Sequence, residues 1–168
     1  MSRGSKVRRS QGASRSAPPD WTNACCGDCI WPDDEDGEPQ PRCGSIDGGL
    51  DPERMARAYA LDGEASAEFP DGTKWAFGCV FSMAFDHPQH CLEIIRRAAL
   101  ATTTAWQRTM IGCGNLETLL GNHGASLIDD VERSARESPQ FRECLANVWQ
   151  HGMPDDVWAR VLKASGRA

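Results

Sequence analysis

The chain has 168 residues, 40% of them hydrophobic and 25% charged, with 18 Lys and Arg against 24 Asp and Glu for a net charge of -6. That is room for one domain and a tail. No run of apolar residues is long enough to span a bilayer, and no charged start leads into a short apolar segment, so neither a membrane span nor a secretory signal is expected. The expected location is the cytoplasm, and the acidity argues against a nucleic-acid footprint over the whole protein, because duplex phosphates would repel it.

The charge is placed unevenly. Residues 1–17 hold Arg3, Lys6, Arg8, Arg9 and Arg15, no acid and little that is apolar, so they read as a basic disordered tail, the one part of the chain suited to touching nucleic acid. Residues 18–52 read as an acidic, irregular segment, in which residues 18–47 set Asp20, Asp28, Asp33, Asp34, Glu35, Asp36, Glu38 and Asp47 against Arg42 alone. Cys25, Cys26, Cys29 and Cys43, half of the eight cysteines, lie here. Cys26-x2-Cys29 is the spacing at which two thiolates can share a zinc ion, and Cys43 supplies a third ligand. A closed tetrahedral site needs a fourth, which Asp47 or the distant His87 would have to provide, so zinc competes here with free thiols.

Residues 53–168 read as an all-α domain, a compact bundle or solenoid-like stack of short helices. Asp51 and Pro52 open a helix over 53–61 as N-cap and first helical residue. After the turn Phe69-Pro70-Asp71-Gly72, the apolar run from Trp75 to Phe85 is assigned to a helix, because Asp86 and Pro88 then open another to about Leu100, with Cys91, Leu92, Ile95, Ala98 and Ala99 on its inner face. Residues 106–111 continue as a helical turn stopped by Gly112 and Gly114. Asn115 is expected to cap 116–120, and Gly121 and Gly124 to end it. Ser126 precedes a helix burying Leu127, Ile128, Val131 and Ala135; Ser138-Pro139 opens one with a stripe of Phe141, Leu145, Val148 and Trp149; Met153-Pro154 starts the last, carrying Val157, Trp158, Val161 and Leu162. Trp106, Trp149 and Trp158 are expected in the core, and any found exposed would mark a binding surface.

The run Ile111-Gly112-Cys113-Gly114-Asn115-Leu116-Glu117-Thr118-Leu119-Leu120, followed by His123-Gly124, Ile128-Asp129, Glu132, Pro139-Gln140-Phe141, Leu145, Val148-Trp149, Met153-Pro154 and Val157-Trp158, resembles an uncharacterised bacterial family, domain of unknown function 6869. The resemblance covers about residues 75–163. Cys113 and Asn115 depart from it, standing where Ala and Pro are usual. It implies a small helical bacterial domain without a known activity, cofactor or partner, and nothing for residues 1–74.

Glu117, His123 and Asp129 fall within that stretch. A carboxylate orienting an imidazole would make a general base, and nearby glycines would let a substrate approach the backbone. Read structurally, Glu117 complements a helix N-terminus, while His123 and Gly124 form a helix C-terminus. His87, His90 and Cys91 share a helical face at metal-chelating spacing, although Pro88 marks this as a helix start. No phosphate-binding loop, dinucleotide fingerprint or nucleophile elbow is present. The expected function is therefore a non-enzymatic module that binds a protein partner. The alternatives are a ligand-binding or hydrolytic site around Glu117, His123 and Asp129, and a zinc-binding adaptor built on Cys26, Cys29 and Cys43.

Overall fold

A computed structural model describes Trp21, residues 50–70 and residues 72–168. The basic tail 1–17, the zinc candidates Cys26, Cys29 and Cys43, and most of the acidic segment lie outside the described residues. Seven α-helices follow in order among the described residues: α1 (Pro52–Ala60), α2 (Lys74–Asp86), α3 (Pro88–Ala101), α4 (Ala105–Ile111), α5 (Glu117–Glu137), α6 (Pro139–Leu145) and α7 (Asp155–Ser165). A π-helical turn, Gly112–Leu116, joins α4 to α5. The domain is all-α, as its sequence pattern predicts, and none of these helices is long and apolar enough to cross a membrane.

Several helix starts follow from local chemistry. The Asp51 carboxylate accepts from the Glu53 and Arg54 amides at 3.0 and 3.1 Å, and Pro52 takes the first helical position. Thr104 and Gln107 form a reciprocal capping box on α4. The Ser138 hydroxyl accepts from the Phe141 amide at the start of α6. α3 differs from expectation: its N-cap is His87, with no side-chain bond to the exposed amides, and not Asp86.

α3 and α5 form the centre. α3 packs on α1, α2 and α5, and α5 packs on α6, α7 and the π turn as well. Ile94, Ile95, Ala98 and Ala99 of α3 and Leu119, Leu120, Leu127 and Val131 of α5 are closed off from solvent by Met55, Val80, Met83, Phe141 and Val161 of the surrounding helices. Helices this short are marginal alone in water, so burial of these faces supplies their stability.

Three expectations are corrected by the packing. α5 is one helix of 21 residues and not two. Gly121 and Gly124 sit inside it because another element passes too close for a side chain: a Cβ on Gly121 would lie 2.9 Å from the His151 carbonyl oxygen, and one on Gly124 would lie 2.8 Å from Val157 Cγ1. His123 and Gly124 are therefore not a helix end. Asn115 is not a cap either; it is fully buried in the π turn and donates through Nδ2 to the Phe77 carbonyl at 3.1 Å. Finally, α6 stops at Leu145, so Val148 and Trp149 belong to the following turn, Val148 buried and Trp149 72% exposed.

Candidate docking surface

The three sequence candidates on α5 point three ways. Glu117, His123 and Asp129 are spaced six residues apart, which at about 100° per residue turns each about 120° from the next around the helix. Each has a different neighbour. Glu117 Oε2 accepts from the Trp149 amide at 2.9 Å, tying α5 to the turn after α6. His123 Nε2 lies 2.9 Å from the Phe85 carbonyl oxygen of α2. Asp129 joins Glu132 in gripping Arg160 of α7, at 2.6 and 2.9 Å. The Arg160 hydrogen bond holds the Glu132 carboxyl below the usual carboxylate range despite partial burial. These contacts lock α2, α7 and the α6–α7 turn onto α5.

Two of the buried thiols, Cys91 and Cys144, offer little reactivity. Cys91 is fully buried, and burial pushes its pKa upward; burial likewise pushes Cys144 up to about 12. His87 and His90 lie at the start of α3 with ring centroids 5.7 Å apart, and Trp21 meets His90 edge-on at 4.9 Å. Among the described residues no three His, Cys, Asp or Glu side chains group as a metal site. A shallow cleft of about 250 Å³ lies between α5, α6 and α7, lined by Glu132, Arg136, Arg142 and Lys163 over Ala135 and Ala164.

The unusual surface is on α2. Its inner face buries Trp75, Ala76, Cys79, Val80, Met83 and Ala84. Its outer face carries Phe77, Phe81 and Phe85, each between 42% and 44% exposed. The four-residue spacing lines the rings up along the helix: Phe77 and Phe81 lie nearly parallel at 6.4 Å, and Phe81 meets Phe85 edge-on at 5.2 Å. Gly78 and Ser82 form the neighbouring row, and charge appears only at the two ends, Lys74 and Asp86. A helix apolar on all sides belongs in an interior, yet half of this one faces outward.

The π turn supports the N-terminal end of this stripe. Gly114 leaves room for the Phe77 ring, since a Cβ there would lie 3.3 Å from it, and the Tyr59 ring flanks Phe77 at 6.5 Å. Beneath, the Tyr59 hydroxyl lies against Asn115 without hydrogen-bond geometry, and burial raises the phenol pKa so that it stays neutral. The Asn115 amide and His123 imidazole engage the carbonyls of Phe77 and Phe85, at either end of the row. The three phenylalanines were not distinguished from the buried positions of their apolar run by sequence; their i, i+4, i+8 spacing was the available signal.

The tryptophans divide. Trp158 is half-buried under the Arg167 guanidinium, 5.0 Å from its ring centroid, whereas Trp106 and Trp149 are 65% and 72% exposed. The Trp106 indole nitrogen donates to Asp62 at 3.1 Å.

A family model described as Family of unknown function (DUF6869) matches residues 64–168. The match begins eleven residues before residue 75, where the sequence resemblance starts, and so takes in all of α2. No curated protein and no solved structure matches the chain.

Proposed function

The chain belongs to that family of unknown function, and on its geometry we propose that it is a protein-interaction module whose docking surface is the outer face of α2. The row of Phe77, Phe81 and Phe85 carries this reading. Covering the exposed two-fifths of each ring offers on the order of 1 kcal/mol per residue, and aromatic side chains are the ones that anchor interfaces. The polar residues of α5 support it indirectly, since Glu117, His123 and Asp129 are engaged with three separate elements. Location in the cytoplasm of a bacterium is part of the same reading.

The test is a pull-down from the native host with the wild-type chain and a Phe81→Glu variant of unchanged circular dichroism. Partners retained by the first and lost by the second support the assignment. The same partners on both contradict it.

A second reading, a zinc site using Cys26, Cys29 and Cys43, is favoured by one contact. Trp21 packs on His90, and the five residues from Trp21 to Cys26 span at most about 18 Å, so Cys26 is within reach of His87 as a fourth ligand. Purified full-length chain should then carry one equivalent of zinc, lost in Cys26→Ser/Cys29→Ser and reduced in His87→Ala. Less than one equivalent in the wild type removes this reading.

A further inference from the structure

We propose that the cleft between α5, α6 and α7 binds a small phosphorylated compound, with Arg136, Arg142 and Lys163 holding its phosphate group. The site shares no residue with the α2 face.

The whole chain carries a net charge of -6, yet this cleft is lined by three cations, one from each of three helices, and a single acid. The acid is already engaged. Glu132 accepts from Arg160 at 2.9 Å, and its approach to Arg136, at 3.9 Å, is longer than a hydrogen bond. The other acids of this end of α5 are engaged too, Asp129 with Arg160, Asp130 with Arg133 and Glu137 with Arg96. On α6, Glu143 is paired with Arg108. Arg142 and Lys163 are exposed, and neither side chain has a hydrogen bond or an ion pair among the described residues. Each of the three cations stands in the last turn of its own helix, where it offsets the negative end of the helix dipole. That effect acts at each helix end separately and fades within a turn, so it does not require three such ends to surround one opening.

A phosphate monoester brings about two negative charges and three terminal oxygens near neutral pH. Those suit two guanidinium forks and an ammonium point charge together, whereas a monocarboxylate has one charge and two oxygens. The floor is formed by Ala135 and Ala164, whose methyl groups leave room for the anion and do not compete for its donors. At about 30 Å³ per water-sized group, a cleft of about 250 Å³ takes a phosphate and a few further atoms, the scale of a phosphorylated three-carbon compound. Among the described residues no aromatic side chain lines the cleft, so a nucleobase would find no ring to stack on.

The experiment is isothermal titration calorimetry of the full chain with glycerol 3-phosphate, inorganic phosphate and glycerol, ionic strength being held low and constant with sodium chloride. Glycerol 3-phosphate should bind one site in about the millimolar range or tighter, more tightly than inorganic phosphate, and glycerol should give no heat. Arg142→Gln and Lys163→Gln should each weaken binding about threefold to tenfold, with unchanged circular dichroism. Lys74→Gln, which removes an exposed lysine on α2, should change nothing. Absence of saturable heat overturns the proposal, as does binding indifferent to Arg142→Gln and Lys163→Gln or weakened equally by Lys74→Gln. Inorganic phosphate bound as tightly as the ester removes the organic ligand, and a short single-stranded oligonucleotide bound more than tenfold tighter reassigns the cleft to nucleic acid; either result overturns the proposal.

Discussion

α5 and α2 handle their side chains in opposite ways. On α5, Glu117 holds the Trp149 amide, His123 meets the Phe85 carbonyl, and Asp129 and Glu132 share Arg160. On α2 the only charges, Lys74 and Asp86, sit at the ends, and three phenyl rings between them face outward. The polar residues that look most like chemistry in the sequence are therefore spent on holding helices together. The interactions still to be satisfied lie on a helix that looks, in sequence, like core.

Substitutions can test that division, and the largest effect belongs to the interior around α5. A Cβ on Gly112 would lie 2.1 Å from the Cys144 carbonyl oxygen. Gly112→Ala should therefore cost about 3 kcal/mol or more in urea unfolding, and a neutral result would mean that the π turn is not clamped by α6. Next comes Gly124→Ala. Helix propensity alone would reward it by about 1 kcal/mol, but its clash with Val157 should leave a net loss of about 1–2 kcal/mol. The double variant with Val157→Ala should lose less than the sum of the singles, because the two sites touch.

Smaller again is Arg160→Met, at about 0.5–1 kcal/mol near neutral pH for a largely exposed network. Its pH dependence has a definite sign. The Arg160 hydrogen bond lowers the folded-state pKa of Glu132, so the stabilisation is present above the unfolded carboxylate value of about 4.3 and fades as pH falls through the folded value. The gap in melting temperature between wild type and variant should accordingly be widest near pH 7 and narrow below about pH 4. Phe81→Ser should cost the dilute chain about 1 kcal/mol, for the part of the ring that is already covered by its neighbours. A loss of several kcal/mol would show that Phe81 is an interior residue and erase the contrast between the two helices.

Much of the helical order was legible because its signals are local. Asp51-Pro52 and Ser138-Pro139 open helices as their side-chain chemistry dictates. Gly121 and Gly124 misled because a glycine that ends a helix and one that admits a neighbouring element look alike in sequence; the neighbours, His151 and Val157, lie about thirty residues further along. Asn115 misled similarly, since its amide serves the carbonyl of Phe77 on another helix. The candidate site was the least legible part. Phe77, Phe81 and Phe85 lie in a continuous apolar run, so hydropathy gave no contrast between inner and outer faces, and only packing of α2 on α1, α3, α5 and the π turn decides which side is covered.

The central claim is that Phe77, Phe81 and Phe85 form an outward-facing row on α2, and hydroxyl-radical footprinting read by mass spectrometry tests it residue by residue. Oxidation of Phe77, Phe81 and Phe85 should run well above that of the buried Phe69 and Phe141 in the dilute chain. Oxidation of the three α2 phenylalanines as low as that of Phe141 would contradict the claim.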